Sequence, residues 1–377
     1  MSQIDFLILY SILFGEFYCI SKIPQKKLTD NYWRYLFPIA LSFVLIIGLR
    51  YGWGNDYMSY KWRIEHPSLD EDPFFGSINA FLTGIGMNYV CVFLIYALCM
   101  VWGGFLYLKS FKDNKYMLVL FLPAMFYSAT FMVRQGFATA FVFFGFYYLV
   151  DKKYILSALF LIIAIKIHTG ILTLVLCPLV FMLMKKWYDK PFPYRIIIPL
   201  YLIVSLLQNS ASQFFAQHMS NAFAFLDYFG KFSSYSENND QWFGEDGISD
   251  IYQQSELTMF LSIAFETAII YLGSIALKYR KDRRIICFYN TVIVGLFIMR
   301  IGYLLEIIHR IGQSIMSFYF IPLGFSLFVL LPMLKRRQLK SMEAIFVRIF
   351  VSFGVLYLVL YYGRVIFMSP TYEFVWS

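Results

Sequence analysis

Long apolar runs, separated by short polar segments, recur from one end of the chain to the other. Runs of this kind predict membrane-crossing helices, which need about 20 predominantly apolar residues. The pattern predicts twelve helices, at about 4–20, 34–49, 88–108, 116–132, 135–150, 154–167, 170–184, 196–210, 257–277, 285–301, 311–333 and 345–363. The sequence therefore predicts an all-α, polytopic membrane protein that forms a single transmembrane domain over residues 1–377.

Composition agrees with a membrane protein. Of the 377 residues, 60% are apolar and only 15% are charged, whereas soluble domains carry about 25% charged residues. The first residues lack both a basic segment and a small-residue cleavage site. We therefore expect the first apolar run to remain as a membrane helix.

Positive charge alternates from loop to loop. One set of loops holds 23 basic and six acidic residues, while the rest of the chain holds nine basic and 17 acidic residues. Basic loops face the cytoplasm in membrane proteins, so both termini are expected on the outer side. The net charge of +9 reflects this topology, and we expect no nucleic-acid partner. Two long outer segments, at about 50–87 and 211–256, indicate function at the outer face.

Two stretches flanked by lysines carry a polar residue near their middle. Arg134 lies within residues 116–150, and His168 lies within residues 154–184. If both ends of each stretch are cytoplasmic, each forms a hairpin with arms of about 14–17 residues, or about 21–26 Å of helix. The hydrocarbon core is about 30 Å thick, so the tips would lie below the outer surface. We expect both side chains to face a sunken, wet cavity.

Most basic residues outside the inner loops lie at predicted outer helix ends. Arginines that converge there could bind a pyrophosphate, because a guanidinium binds phosphate oxygens in bidentate fashion. The candidates are Arg50, Arg134, Arg310, Arg300 and Arg364. The structural alternatives are an ordinary solvated charge, as at Arg63, or a headgroup anchor, as at Arg364.

Asp56 is the first candidate for a general base. It lies directly after the second predicted helix, in a stretch rich in glycine and tyrosine. The glycines allow a tight backbone path, and Tyr57 and Tyr60 offer hydroxyl groups and faces for stacking on a sugar. The structural alternative for Asp56 is a helix N-cap or a loop turn.

The other acid–base candidates are His168, His309 and Glu306. Glu306, His309 and Arg310 are spaced three and four residues apart, so they share one face if the stretch is helical. The structural alternative is an internal ion pair at the helix end. Glu16 and Glu266 also lie within apolar runs, which is unusual for carboxylates, and the sequence gives them no role.

Motifs for other chemistries are absent from the sequence. There is no Walker loop, no H-E-x-x-H and no G-x-S-x-G, which disfavours ATP-driven transport and metalloprotease activity. The five cysteines lie in apolar runs without a C-x-x-C pair, so no zinc site is predicted. We expect neither a metal nor a cofactor.

Several short motifs, taken in order, resemble one family. Residues 50–60, RYGWGNDYMSY, resemble the R-x-G-x-D-Y-x-x-Y signature of the EpsG type of Wzy polysaccharide polymerases. Residues 133–138, VRQGFA, are similar to its I-R-Q-x-x-A segment, and residues 166–171, KIHTGI, to its F-H-x-S segment. Arg310 with FYFIP at 318–322, and SPTY at 369–372, resemble its late segments. The resemblance spans nearly the whole chain.

The resemblance implies a GT-C type membrane glycosyltransferase in the bacterial cytoplasmic (inner) membrane, with its active site facing the periplasm or the outside. Such an enzyme polymerises O-antigen or exopolysaccharide repeats, moving glycan from one undecaprenyl pyrophosphate carrier to the sugar repeat on another. It uses no metal and no nucleotide sugar. The implied partners are the undecaprenyl pyrophosphate-linked oligosaccharide, membrane lipid, and a chain-length regulator and a flippase of the same pathway. Gln135, in the VRQGFA motif, joins the substrate-binding candidates.

This chemistry suits the polar residues. A lipid pyrophosphate is a good leaving group, so the site must neutralise its developing charge and deprotonate the attacking hydroxyl. We expect Arg50, Arg134 and Arg310 to do the first, and Asp56 to do the second, with His168 or His309 as rivals. Two alternatives stay open: an O-antigen ligase, and a flippase or secondary transporter of lipid-linked sugar. A transporter should show mid-helix charges and two similar halves.

Overall fold

The computed structural model describes residues 3–52, 56–69, 73–184, 188–223, 255–368 and 373–374, and these residues are almost entirely helical. The helices are α1 (Gln3–Ile20), α2 (Gln25–Asp30), α3 (Tyr32–Gly48), α4 (Tyr57–Glu65), α5 (Pro73–Gly84), α6 (Tyr89–Lys109), α7 (Lys115–Thr130), α8 (Val133–Val150), α9 (Tyr154–Ile167), α10 (Ile171–Leu183), α11 (Tyr194–Leu206), α12 (Gln208–Phe223), α13 (Glu256–Tyr279), α14 (Arg283–Ile301), α15 (Glu306–Met316), α16 (Phe320–Lys335) and α17 (Ser341–Met368). Two short strands, β1 (Arg50–Tyr51) and β2 (Glu373–Phe374), pair antiparallel.

Every predicted apolar run forms helix. Two of these runs are divided. Residues 196–210 bend by 74° at Leu207, between α11 and α12. Residues 311–333 contain a 3-10 turn, Ser317–Tyr319, between α15 and α16. Six helices of the described part are long and apolar enough to cross a membrane, or up to seven if the bent pair is one span, and four further apolar helices are shorter. The prediction of a polytopic helical membrane protein is confirmed.

Helices α7 to α10 are short, as the lengths between their flanking lysines predict. They have 16, 18, 14 and 13 residues. At 1.5 Å per residue they reach about 24, 27, 21 and 20 Å, less than the hydrocarbon core of about 30 Å. The breaks fall at residues 131–132 and 168–170, so Arg134 and His168 stand at helix ends.

The described helices form two compact units, the first with residues Met1–Val175 and Leu358–Ser377, the second with Leu176–Tyr357. In the first unit α1 packs against α3 and α7, α3 against α6, α6 against α8, and α8 against α9. α5 packs against α4, α6 and α9. A Cβ at Gly136 would lie 2.6 Å from the Ser128 carbonyl oxygen, so only glycine allows α8 to approach α7 this closely.

The last described part of the chain completes the first unit. Tyr362, in α17, donates a hydrogen bond to the Pro123 carbonyl of α7. Its ring packs against Phe14 and Phe126, with centroids 5.2 Å and 5.3 Å apart. Strand β2 pairs with β1, at the start of the outer segment 50–87. The first unit is therefore built from segments at opposite ends of the sequence.

In the second unit α13 packs against α11 and α16, and α14 packs extensively against α15. Helices α14 and α15 run antiparallel, because Gly302 faces Ile308 while Gly312 faces Met299. A Cβ at Gly312 would lie 2.3 Å from the Met299 backbone nitrogen, so this close contact requires a residue without a side chain. We call residues 302–305, which join the two helices, the α14–α15 turn.

Candidate functional site

Arg134 and Tyr60 meet at the N-terminal end of α8. Arg134 is the second residue of that helix and is half-buried. The Tyr60 phenol of α4 forms a hydrogen bond with the Arg134 backbone. It also interacts electrostatically with Asp56, Arg63 and Arg134. Burial raises the pKa of Tyr60, so its hydroxyl stays protonated at physiological pH. We call Asp56, Tyr60, Arg63 and Arg134 the α8 cluster.

Asp56 occupies the N-cap position of α4, but its side chain makes no capping hydrogen bond. Its backbone carbonyl accepts the hydrogen bond instead, from the Tyr60 backbone nitrogen at 2.9 Å. The side chain is half-exposed. Among the described residues, therefore, the structural alternative of a side-chain cap does not hold, and the half-exposed carboxylate of the α8 cluster has no capping role.

Positive charge concentrates at the start of α8. Met132, at the N-cap position, contributes no side-chain cap. The first backbone N–H groups of a helix carry partial positive charge, and the Arg134 guanidinium adds a full charge. The Phe75 ring of α5 covers the Arg134 guanidinium, whose carbon lies 6.0 Å from the ring centroid. This combination suits a phosphate group.

Arg50 lies deeper in the first unit and is only 1% exposed. Its guanidinium donates to the Ile47 carbonyl, and to the Thr130 carbonyl at 3.2 Å. The Tyr57 and Phe93 ring centroids each lie 5.6 Å from the guanidinium carbon. The cavity beside Arg50 measures about 10 Å³, room for about one water molecule. Arg50 is therefore a structural tie between α3 and α7 in this arrangement, and its role as a donor contact stays a prediction.

Two other predicted substrate contacts also lie in the core. Tyr57 is 1% exposed and stacks on Phe93 with centroids 4.7 Å apart. Gln135, the residue after Arg134 in α8, is buried as well. A buried ring cannot stack on a sugar, so Tyr60 is the tyrosine of this motif that belongs to the candidate site.

His168 stands where α9 ends. Its backbone is extended, with φ −150° and ψ 108°, and its carbonyl accepts a hydrogen bond from the Ile171 nitrogen at 3.0 Å. A Cβ at Gly170 would lie 3.0 Å from the His168 Nε2 atom. Glycine at this position therefore leaves room for the imidazole, which is half-exposed and remains a candidate base.

His309 and Arg310 lie in the second unit, near the start of α15, which is helical as the spacing predicts. His309 is buried, and its ring hydrogen-bonds the Met299 backbone of α14. Arg310 is exposed. The side chains of Glu306 and Arg364 lie outside the described positions.

Arg300 and Glu266 form a buried ion pair in the second unit, with 2.7 Å between Nη2 and Oε2. The Arg300 Nε donates to the Tyr201 hydroxyl at 2.9 Å, Nη1 to Gln208 Oε1 at 3.2 Å, and Nη2 to Ser262 Oγ at 2.5 Å. We call these five residues the Arg300 network. Arg300 was predicted to contact substrate. Its guanidinium instead donates its hydrogen bonds to protein groups, so Arg300 is not part of the proposed site.

The role of Glu266 was missed in the sequence, although a signal was present. Glu266 lies in the middle of α13, and Arg300 lies in the last turn of α14. A carboxylate and a guanidinium that each stand alone in an apolar helix are natural partners, because an unpaired charge in a membrane is costly. Sequence spacing could not identify the pair, since 34 positions separate the two residues.

The motifs that suggested a family are matched by a wider comparison. The sequence model of one family, described as the EpsG family, matches residues 33–375. This range contains the α8 cluster, His168, the Arg300 network and His309. Comparison with curated proteins gives no match, and comparison with solved structures gives none either. Because the family match extends over most of its length, the chain belongs to the EpsG family.

Proposed function

We propose that the protein is a polysaccharide polymerase of the bacterial cytoplasmic membrane. It transfers glycan from one undecaprenyl pyrophosphate carrier to the sugar repeat on another, at the periplasmic face. The observation that carries the proposal is the EpsG family match over residues 33–375. The long apolar helices support a membrane enzyme. The alternation of basic loops supports twelve spans with both termini outside, and the family match supports a GT-C type arrangement.

In the proposed reaction, a hydroxyl of the acceptor sugar attacks the anomeric carbon of the donor glycan. A glycosidic bond forms at that carbon, and its bond to the pyrophosphate oxygen breaks. Asp56 takes the hydroxyl proton, and the lipid pyrophosphate leaves with the bonding electrons. Arg134, Arg63 and the N-terminal end of α8 offset the charge that develops on the leaving group.

The residue roles follow from the α8 cluster. Asp56 is the proposed base because its carboxylate is half-exposed, makes no cap and lies near Tyr60 in the α8 cluster. His168 and His309 are the rival bases. Arg310, exposed at the start of α15, is a further proposed phosphate contact. The arginines supply the positive charge that a metal ion supplies in other transferases, so the proposed mechanism uses no metal or nucleotide sugar.

The test uses purified protein with undecaprenyl pyrophosphate-linked repeat units, in the presence of a chelator and without nucleotide sugar. We expect a ladder of longer glycans on gels. Arg134→Ala should lower the rate about 100- to 1,000-fold, because it removes a donor that acts on the leaving group. Arg336→Ala, at an exposed position beyond α16, is the matched control and should leave the rate unchanged.

Other outcomes identify the alternatives. Transfer of whole polymer to a different acceptor, with no ladder, would indicate a ligase. Movement of the lipid-linked sugar across reconstituted vesicles, again with no ladder, would indicate a transporter. A full ladder in Arg134→Ala would remove the α8 cluster from the active site.

A further inference from the structure

The Arg300 network joins both sides of a bent membrane segment. Helix α11 ends at Leu206, and the chain bends by 74° before α12 begins at Gln208. The Arg300 guanidinium donates to Tyr201 on α11 and to Gln208 on α12. Glu266 and Ser262 hold the same guanidinium from α13. One side chain of α14 therefore fixes the direction in which α12 leaves the bend.

Helix α12 then reaches the α14–α15 turn. Ser212, one turn beyond Gln208, is fully buried. Its hydroxyl donates to the Ile301 carbonyl at 2.8 Å and accepts from the Leu304 backbone nitrogen at 3.2 Å. Phe215, one further turn along, packs against an apolar cluster of Leu305 and Ile308. Polar and apolar contacts thus attach α12 to this turn.

The α14–α15 turn sets the position of His309. The Leu305 carbonyl accepts from the His309 backbone nitrogen at 2.8 Å. Gly302 packs so closely on α15 that a Cβ there would lie 2.3 Å from an Ile308 side-chain carbon. A shift of the turn would therefore move His309, and Arg310 beside it, relative to α14.

We propose that the Arg300 network positions His309 and Arg310 by holding α12 against the α14–α15 turn. Arg300 is a positioning residue here, because its own donors are taken up by protein groups. A buried ion pair adds little stability over an apolar replacement of similar volume, so the network fits a geometric role better than a purely stabilising one. The effect on catalysis rests on the polymerase function proposed above, whereas the mechanical link does not.

The mechanical link is tested by amide hydrogen exchange on the purified full chain. Ser212→Ala removes the hydrogen bonds to Ile301, at the end of α14, and to Leu304, in the turn, and should speed exchange across residues 302–309 roughly fivefold. Ser205→Ala is the matched control. Its hydroxyl is buried on α11 and has no hydrogen-bond partner in the described part of the chain. Equal exchange in both variants would overturn the proposal.

Arg300→Lys tests the network itself. Lysine keeps a positive charge beside Glu266 but lacks the planar fork that reaches Tyr201, Gln208 and Ser262 together. Exchange across residues 302–309 should again rise, while peptides of α6 and α8, in the first unit, stay unchanged. Unaltered exchange in the turn would show that Ser212 alone holds it, contrary to the proposal.

Kinetics separate positioning from simple stabilisation. In Ser212→Ala and Arg300→Lys we expect kcat per folded molecule to fall about tenfold with KM unchanged, since a misplaced group loses transition-state contacts. A purely stabilising network would lower only the amount of folded protein. Faster exchange with unchanged kcat would overturn the catalytic role. If the wild-type chain makes no ladder while exchange responds as expected, the polymerase proposal fails and the mechanical link stands.

Discussion

Two arginines of this protein, Arg134 and Arg300, both stand near helix ends in a chain that is otherwise apolar. Arg134 is half-buried, under a phenylalanine ring and beside a phenol, with Asp56 and Arg63 close by. Arg300 is 2% exposed, and a carboxylate, a phenol, an amide and a hydroxyl surround it. The first arrangement places a half-buried guanidinium at the N-terminal end of a helix. The second neutralises its charge inside the protein.

The difference shows what decides the role of an arginine in a membrane protein. Both residues carry the same charge at similar positions in the sequence pattern. A dedicated carboxylate partner makes Arg300 part of the scaffold, whereas Arg134 stands half-buried at a helix end beside Tyr60 and is the proposed contact for an anion. The partner, supplied by another helix, determines the function.

The largest loss of activity should come from Asp56→Ala. An active Asp56→Ala variant would contradict the contrast between a catalytic region around Arg134 and a structural region around Arg300. Loss of a general base lowers a rate about 100- to 10,000-fold. We expect a loss in this range in the initial rate of ladder formation. Glu65→Ala is the matched control, because Glu65 lies on the same helix and pairs only loosely with Lys61, at 3.9 Å. Full activity in Asp56→Ala together with an inactive His168→Ala would move the role of base to the histidine.

Glu266→Leu tests whether the charge of Arg300 is neutralised inside the protein. Removing one partner of a buried ion pair costs about 3–5 kcal/mol, because the other charge stays buried without compensation. Denaturant unfolding in detergent should report this loss. The double variant Glu266→Leu, Arg300→Met should recover most of the stability, since both charges are gone.

That double variant also sharpens the comparison between the two regions. If the network positions the α14–α15 turn, a stable double variant should still have a reduced kcat. No recovery of stability in the double variant would show that Arg300 and Glu266 do not act mainly on each other.

The smallest effect should come from Tyr60→Phe. It removes the hydroxyl that hydrogen-bonds the Arg134 backbone, worth about 0.5–1.5 kcal/mol, and should lower the rate about two- to tenfold. Tyr57→Phe is a matched control, because the Tyr57 hydroxyl is buried and has no hydrogen-bond partner within the described residues. A larger loss in Tyr57→Phe than in Tyr60→Phe would show that the Tyr57 hydroxyl, and not the Tyr60 hydroxyl, contributes to the rate.

The helices and their breaks could be predicted from the sequence because the bilayer imposes a simple rule. Apolar runs must be helical in lipid, so each predicted run forms helix, and the breaks beside Arg134 and His168 fall where the lysine spacing placed them. The bend at Leu207 could not be predicted, because no proline or glycine marks it. It depends on the partners that Gln208 and Tyr201 find on other helices.

The site was harder to predict than the fold. Arg50, Tyr57 and Arg300 have residue types suited to substrate, and only their packing shows that they lie in the core. Asp56 could equally have been a helix cap, and the backbone geometry at α4 decides against it. Periodicity determines which residues are near a helix end, but the side chains that surround them come from distant segments, and one sequence does not identify those.

Biosynthesis of this chain has an order that follows from how its first unit is closed. Helices α1 and α7 are synthesised early. Tyr362, whose ring packs on Phe14 and Phe126 and whose hydroxyl donates to the Pro123 carbonyl, is synthesised much later, in α17. Strand β1 likewise waits for β2, more than 300 residues later. The unit that enters the membrane first is thus completed last, after the whole second unit has been inserted. A chain that stops before α17 would leave its first half unfinished, with β1 unpaired.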